Sequence, residues 1–502
     1  MSLSKIIRCA SVHSFLERGA ILVLCRGQLS AVNRAVEIAN ELPRVPDDDF
    51  LRAVIHYLEA EAGTKVSLVS CLEHGVAYHH AGLSQEARWL VETLIKQEKV
   101  KVVCGTTTLA QGVNFPISTV IVETLRKGEV ELTYQDFWNI AGRAGRALMD
   151  TLGVVAFPTP SEERLRGFEE FLRGEAEVIA SQLTSIVSSA DEIAGQFNLY
   201  AISRCPELSS LLQFLAHALY VSGREDVADE VEDILRASLI FHQAQQRGTK
   251  VADALIALCR SYLQSIRGQR ALIGLAEQTG FATPSVFNLL GQTRGNRELA
   301  DFRKWTPARL FGQDIEPLTR RIEAIANLPE IRLGQGQRPP FNARRVAEIL
   351  RGWIRGDNLR DLTVNYSLSR KGDESELIGV FSNYLFSQLI VRASWGLGAL
   401  ETVSLGDLPE EQWKEVGYVP SMVYFGVDHR EAVWLRMAGV PRIVANPLAE
   451  RWLHSKVSEP ANFDEIREWV SNLRDTDWQA AIPARSPLTT ADLRLLCREL
   501  VG

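Results

Sequence analysis

The run AILVLC at residues 20–25 is apolar at every position and only six residues long. A β-strand that is covered on both faces has this composition, because neither face needs polar side chains. A helical pattern follows over residues 30–42 and is ended by Pro43 and Pro46. This order predicts a buried strand followed by a helix, which is the repeating unit of an α/β fold.

The same alternation continues through the first 160 residues. The acidic run at residues 47–49 and the hydroxyl of Ser84 suit the N-termini of two further helices. Helices between neighbouring strands supply the crossovers that parallel strands need. We therefore predict an α/β domain over residues 1–160, a parallel sheet with helices on both faces. Its other strands are predicted at 75–78, 100–104, 120–123 and 153–157, and its other helices at 50–62 and 84–97.

Beyond residue 160 the pattern becomes almost entirely helical. We predict a helical domain over residues 161–333 and a mainly helical C-terminal domain over 341–502, separated by the linker-like sequence GQGQRPP at 334–340. GFATPS at residues 280–285 suggests a helix-turn-helix junction, and packed core helices explain it at least as well.

The composition is that of a globular protein. The chain of 502 residues is 46% hydrophobic and 23% charged, which excludes wholesale disorder. The net charge of -7 argues against a protein that simply coats nucleic acid. The seven cysteines form no CxxC pair, which favours a reducing, cytoplasmic location. No apolar run reaches 18 residues, so we expect no membrane association.

Three segments of the first domain carry candidate chemistry. They are VAYHHAGL at residues 76–83, VCGTTTLAQGVNFP at 103–116 and QDFWNIAGRAGR at 135–146. The last segment places two arginines three residues apart, each after a glycine. Glycine permits close backbone approach, and the guanidinium groups can then reach a phosphate.

This set resembles the second RecA-like domain of superfamily 2 helicases, most closely the superkiller-type DExH group. The strand at 20–25 stands where the family has motif IV. TTTLAQGVN at 106–114 resembles motif V, and NIAGRAGR at 139–146 resembles motif VI. The resemblance covers residues 19–158, under a third of the chain, and implies a RecA-like fold for the first domain.

The resemblance implies that this domain contacts ATP. Arg143 and Arg146 match the motif VI arginines, and Arg146 would be the finger on the γ-phosphate. Such a finger contributes ~10³–10⁵ in rate, because charge develops on the transferring phosphoryl group. Gly112 and Asn114 match residues that line the nucleotide cleft. Asn139 would also contact the nucleotide, at a position where the family usually has glutamine.

The resemblance also implies nucleic-acid contacts. Thr106, together with Thr107, would hold a phosphate, and Arg26 could contact the backbone after the motif IV strand. His79 and His80 match a double histidine of the family, with a positioning role. We favour the interpretation that these two histidines pack at the end of a strand. A role as metal ligands is disfavoured, because no third ligand lies at the spacing that a metal site needs.

A basic window covers residues 294–372. It holds 16 lysines and arginines against 9 acidic residues, a net of +7. Arg344, Arg345 and Trp353 lie within it, so a nucleic-acid track is one hypothesis. A solvated helical face is the favoured alternative. Eight of the ten tryptophans follow residue 300, and we expect most of them in the core.

The sequence lacks half of the site that the family uses. Hydrolysis there needs a P-loop lysine and a Walker B acidic pair on the first RecA-like domain. The chain contains no Gly-Lys dipeptide, and its Asp-Glu pairs continue as DEIA, DEVE, DESE and DEIR. We therefore expect ATP and Mg²⁺ to bind in a cleft completed by a first RecA-like (P-loop, DExH) domain or subunit, which would carry the metal ligands.

Two functions remain open from the sequence. The first is the C-terminal part of an ATP-dependent helicase or translocase on DNA or RNA, present as a fragment, a split gene product or a subunit. On its own this chain would then have negligible ATPase activity. The alternative is a non-catalytic nucleic-acid-binding or scaffold protein that has retained a RecA-like domain.

Overall fold

The structure is a computed structural model. It describes residues 3–106, 117–145, 153–173, 206–222, 249–333, 341–366, 374–406, 408–455 and 462–501, with residue 460 and isolated residues between 233 and 245. The predicted linker at 334–340 lies outside the described residues.

Five parallel strands form one sheet, which confirms the predicted α/β domain. The strands lie in the order β2-β3-β1-β4-β7. Residues of β1 to β4 are buried almost throughout, as their apolar composition requires. Two short strands form a separate antiparallel hairpin. The bounds are β1 Ala20–Leu24, β2 Val76–His79, β3 Val102–Gly105, β4 Ile117–Val122, β5 Arg126–Lys127, β6 Val130–Glu131 and β7 Val154–Ala156.

Seven helices accompany the sheet. The Asp48 carboxylate accepts the Leu51 N–H, and the Ser84 hydroxyl accepts the Ala87 N–H, so both expected N-caps are present. The helices are α1 Leu3–Phe15, α2 Gln28–Ala39, α3 Asp49–Ala62, α4 Ser67–Leu72, α5 Gln85–Lys96, α6 Tyr134–Ala141 and α7 Glu162–Arg173.

The fourth strand starts three residues earlier than its apolar run predicts. Ser118 and Thr119 belong to β4 and are buried although they are polar. The Ser118 hydroxyl donates to the Ala20 carbonyl at 3.1 Å, which satisfies it inside the sheet. A hydroxyl paired in this way is compatible with a buried strand.

Every element that the structure describes after residue 157 is helical, including the region around residue 398 where short apolar runs gave a mixed signal. Two single turns are 3₁₀-helical, Leu16–Arg18 and Phe302–Lys304, and Leu385–Leu389 is π-helical. The later helices are α8 Pro206–Ser222, α9 Thr249–Ile266, α10 Arg270–Thr279, α11 Thr283–Thr293, α12 Arg297–Ala300, α13 Pro307–Leu310, α14 Glu316–Ala326, α15 Ala343–Ile354, α16 Leu359–Tyr366, α17 Glu374–Tyr384, α18 Ile390–Leu405, α19 Glu410–Val416, α20 Val419–Phe425, α21 Arg430–Met437, α22 Arg442–His454, α23 Phe463–Ser471, α24 Asp475–Ala481 and α25 Thr490–Val501.

The chain divides into two compact units, each built from separate stretches. The first unit comprises residues 1–177, 355–388 and 429–502, and the second comprises 178–354 and 389–428. Within the first unit, α25 packs against α3 and α5, so C-terminal helices cover the helices of the sheet. The sequence division into three consecutive domains stays a prediction.

The second unit is helical around its own core. Helices α10 and α11 meet at Gly280, whose φ of +69° favours glycine. Phe281 and Thr283 are fully buried in this junction, so its inner face belongs to the core.

Most of the late tryptophans serve as core residues, as expected. The buried ones in the two units are Trp305, Trp353, Trp434, Trp452 and Trp478.

Candidate functional site

The carboxyl ends of the parallel strands bring several of the predicted residues to one edge of the sheet. Leu24 of β1 lies opposite Gly105 of β3 and Val122 of β4, so these three strands end level with one another. Open α/β sheets bind ligands at this edge, because loops and helix N-termini converge there. We call it the carboxyl edge.

Thr106 lies directly after β3 and is half-buried at the carboxyl edge. Its neighbour Gly105 lies opposite His79 of β2, so the ends of β2 and β3 are adjacent. Thr107, Gly112 and Asn114 lie outside the described residues. The structure therefore places the first hydroxyl of the predicted phosphate grip at the expected edge.

Arg26 follows β1 at the same edge and is bound to the β5–β6 hairpin. Its Nε donates to the Gly128 carbonyl at 2.6 Å, and its guanidinium meets the Glu129 carboxylate at 2.6 Å. The Glu129 side chain is 89% exposed. An exposed ion pair contributes only about 0–1 kcal/mol, so a phosphate can compete for this guanidinium.

Helix α6 carries the start of the motif VI sequence. The Thr133 hydroxyl caps the helix by accepting the Asp136 N–H at 3.0 Å. Asn139 is exposed on α6, and Arg143 is half-buried in the turn that follows it. Arg146 lies outside the described residues.

The turn after α6 is anchored to the sheet. The Gly145 N–H donates to the Ile117 carbonyl at the start of β4, at 2.9 Å. Gly145 has a φ of +85°, which glycine adopts without strain. The backbone of residues 142–145 is thus tied to β4, which orients Arg143.

The double histidine lies at the carboxyl end of the edge strand β2. His79 Nε2 lies 2.9 Å from a carboxylate oxygen of buried Glu92. The His80 ring stacks on Tyr78 with 5.4 Å between ring centroids. Burial, together with nearby His79 and Arg88, lowers the pKa of His80 to about 4, so His80 is neutral near pH 7. In the described ranges, no group of three or more His, Cys, Asp or Glu side chains could hold a metal ion.

Sequence reasoning missed several polar residues at this edge. Glu123 follows β4, is buried, and pairs with Arg34 of α2 at 2.8 Å. Arg164 of α7 donates to the Glu123 carbonyl at 2.7 Å. Trp138 is 59% exposed on α6 beside Asn139. In the sequence, Glu123 could have been noticed only as a single acidic residue at the end of an apolar strand.

A buried carboxyl group in the first unit was also missed. Glu61 of α3 is 4% exposed, and its carboxyl accepts the hydroxyls of Tyr57 and Ser84 at 3.0 Å each. Burial, together with the negative charge of Glu86, raises the pKa of Glu61 to about 7. Buried Arg442 donates to the Asp357 carbonyl at 2.9 Å, which links two of the late chain segments.

The structure puts many arginines of the basic window into local contacts. Arg344 is exposed at the start of α15 and pairs with Glu348 at 3.4 Å. The Arg345 N–H donates to the Asn342 side chain, and the Arg345 side chain is half-buried. Further ion pairs in the window are Arg303–Asp301, Arg309–Asp314 and Arg320–Glu316.

The comparisons with known proteins agree with this arrangement. Residues 52–148 match the family described as "Helicase conserved C-terminal domain". The chain is 33% identical over 198 residues to "Helicase POLQ-like" of Caenorhabditis elegans, across 38% of this chain and 21% of that protein. It is 29% identical over 220 residues to "ATP-dependent DNA helicase Hel308" of Pyrococcus horikoshii, across 43% of this chain and 31% of that protein.

A longer and weaker similarity covers more of the chain. The chain is 23% identical over 434 residues to "Hachiman protein HamB" of Bacillus cereus, across 78% of this chain and 37% of that protein. The matches therefore span between about a fifth and two fifths of these relatives. Over residues 52–148 the chain is therefore similar to the conserved C-terminal domain of helicases. Among the described helices, none is both long and apolar enough to cross a lipid bilayer.

Proposed function

We propose that this chain supplies the second RecA-like domain of an ATP-dependent helicase or translocase of the superkiller-type DExH group. The observation that carries the proposal is the carboxyl edge itself. Thr106 and Arg26 follow strands at this edge, and the turn after α6 with Arg143 is hydrogen-bonded to the amino end of β4 in the same sheet. A cytoplasmic location is part of the proposal.

The two arginines that follow α6 suit the phosphates of ATP, because they are cationic and the turn that carries Arg143 is hydrogen-bonded to β4. Arg143 and Arg146 would hold the phosphates and neutralise the negative charge that develops during phosphoryl transfer. Gly112, Asn114 and Asn139 would line the nucleotide cleft. The Mg²⁺ ligands would lie on the first RecA-like domain. Mg²⁺ held there would neutralise negative charge on the phosphate oxygens.

The nucleic acid, DNA or RNA, would be held at the carboxyl edge. Thr106 and Thr107 would donate hydrogen bonds to one phosphate, and Arg26 would contact the backbone nearby. Arg344 and Arg345 would add phosphate contacts from α15. Closing and opening of the ATP cleft would move the threonine grip along the strand, and hydrolysis would thereby drive translocation.

The first measurement is the ATPase rate of the purified chain with single-stranded nucleic acid. The proposal expects a negligible rate alone and a helicase-like rate after addition of a P-loop, DExH partner domain from the same genome. In the completed enzyme, Arg146→Ala should abolish hydrolysis and leave binding of nucleic acid largely unchanged. Arg126→Ala, in the exposed β5–β6 hairpin, is the matched control.

Two results would contradict the proposal. A helicase-like ATPase rate from the chain alone would show a complete site. Unchanged turnover of the Arg146→Ala enzyme would exclude the finger assignment. Salt-sensitive binding of nucleic acid without stimulation by any partner would favour the non-catalytic binding protein instead.

A further inference from the structure

A cavity of about 840 Å³ lies in the first unit, beside the carboxyl end of β2. Its walls come from helices α2 and α3 of the sheet domain and from α17, a helix much later in the chain. This volume is in the range of sites that bind small ligands. Its apolar lining includes Val32, Val36, Leu58, Leu83, Ile378 and Phe386.

His80 brings an unused hydrogen-bond donor to this cavity. It is 6% exposed, and its Nδ1 accepts the Gly82 N–H at 3.1 Å. Since the ring is neutral and Nδ1 is an acceptor, the proton resides on Nε2. In the part of the chain that the structure describes, His80 Nε2 has no hydrogen-bond partner. A buried donor without a partner costs about 1–3 kcal/mol.

Asn383 of α17 brings an acceptor to the same place. Its Oδ1 is buried and likewise has no hydrogen-bond partner among the described residues. A Cβ added to Gly82 would lie 3.0 Å from the Asn383 Cα and 3.0 Å from His80 Nδ1. His80 and Asn383 therefore flank Gly82 from two sides, and both line the cavity.

The charges around the cavity disfavour a phosphate inside it. Among the described residues that line it, Glu37, Glu61 and Glu376 are acidic and none is a lysine or an arginine. The lining therefore suits a neutral group with a flat apolar body. A nucleobase has this chemistry, with adjacent donors and acceptors on one planar edge.

The cavity also lies next to the predicted phosphate grip. His79 is paired with Gly105, so His80 and Thr106 are neighbours at the ends of β2 and β3. Adjacent strands are about 4.8 Å apart, which is less than the length of one nucleotide. A strand held by its phosphate at Thr106 could thus place a base in the cavity.

We propose that this cavity binds one nucleobase, with His80 Nε2 donating to a ring acceptor and Asn383 Oδ1 accepting an N–H of the base. The base would come from the bound strand or from a free nucleoside, and the first source rests on the proposed function. Stacked Tyr78 and the apolar walls would contact the ring faces.

The test fills the cavity without disturbing the fold. Gly379 lines the cavity on α17, and a Cβ there meets no atom within 4 Å. Gly379→Phe therefore adds a ring to the cavity and removes a helical glycine. Gly291→Phe is the matched control, because Gly291 is also exposed, helical and open around its Cβ but does not line the cavity. Asn383→Leu removes the side-chain amide, and with it the Oδ1 acceptor, without adding a ring to the cavity.

Two probes distinguish the sources of the base. A single-stranded 12-mer with one 2-aminopurine, made as DNA and as RNA, reports the environment of a base by its fluorescence and its quenching by acrylamide. Free adenosine and uridine are tested by equilibrium dialysis. Circular dichroism and thermal melting establish that each variant is folded.

A base from the strand is supported if 2-aminopurine is protected from acrylamide in the wild type and this protection falls at least tenfold in Gly379→Phe and in Asn383→Leu. Gly291→Phe should leave the protection intact. Nucleoside binding with the same pattern supports a free ligand. The cavity proposal is overturned if the oligonucleotide binds, its protection is unchanged in Gly379→Phe, and neither nucleoside binds. The proposed function would still stand after that result. If the oligonucleotide does not bind at all, the proposed function fails and nucleoside binding alone decides the cavity.

Discussion

The stability of the first unit should depend on the protonation of Glu61. The carboxyl is buried and its pKa is raised to about 7, against 4.5 for a free glutamate. Between pH 4.5 and 7, Glu61 therefore keeps its proton in the folded protein, whereas it is already ionised in the unfolded chain. Stability from this group is complete below about pH 4.5 and is lost as the pH rises through 7. The shift corresponds to roughly 3 kcal/mol, at 1.36 kcal/mol per pKa unit.

Glu61→Gln tests this expectation. Glutamine preserves the shape and cannot ionise, and the hydroxyls of Tyr57 and Ser84 can each rotate to donate or accept. We expect the free energy of unfolding of the variant, relative to the wild type, to rise by about 3 kcal/mol between pH 4.5 and 8. Any constant offset from the altered hydrogen bonds does not affect this slope.

The assay is urea unfolding of the full chain at several pH values, followed by tryptophan fluorescence. Glu59→Gln, on the same helix and only half-buried, is the matched control for the substitution itself. A difference between Glu61→Gln and the wild type that is independent of pH would refute the reasoning, because Glu61 would then have the same pKa in both states.

Three further predictions follow from single contacts. A Cβ at Gly153 would collide with the Ala144 carbonyl, so Gly153→Ala should displace the GRAGR loop and lower the ATPase rate of the completed enzyme, while thermal melting of the chain changes little. Buried Arg321 donates to three backbone carbonyls and stacks on Trp305 at 4.4 Å. Arg321→Ala should therefore lower the free energy of unfolding in urea by about 3–5 kcal/mol. Arg320→Ala, at an exposed ion pair, is the control and should lower it by under about 1 kcal/mol. Arg26→Ala should reduce the slope of log affinity for an oligonucleotide against log salt by about 1, and an unchanged slope would exclude a phosphate contact.

The elements of the sheet domain could be predicted because their local signals are strong. Strands buried on both faces are continuous apolar runs, and the caps at Asp48 and Ser84 mark helix starts by their own hydrogen bonds. The first residues of β4 were missed because Ser118 and Thr119 are polar, and only the partner strand β1 supplies the Ala20 carbonyl that accepts the Ser118 hydroxyl. The helix-turn-helix signal at 280–285 was ambiguous, because a buried turn and an exposed one use the same glycine.

The candidate site was predicted only where a motif carried it. Thr106, Arg26, Asn139 and Arg143 belong to recognisable segments. The structure describes Thr106 and Arg26 at the carboxyl edge, Asn139 on α6 and Arg143 in the turn after α6. Glu61, Asn383 and Glu123 belong to no motif. Their importance depends on what surrounds them, which local sequence does not encode.

The sequence by itself determined the parallel sheet, its caps and the motif resemblance, because each depends on neighbouring residues and on burial that repeats along the chain. Only the tertiary structure decided that residues 355–388 and 429–502 belong with the sheet. Only it brought Asn383 to His80, more than 300 residues away in the chain. Contacts at that separation arise from the packing of whole elements, so the buried carboxyl of Glu61 and the cavity beside it have no signature in any single stretch of the sequence.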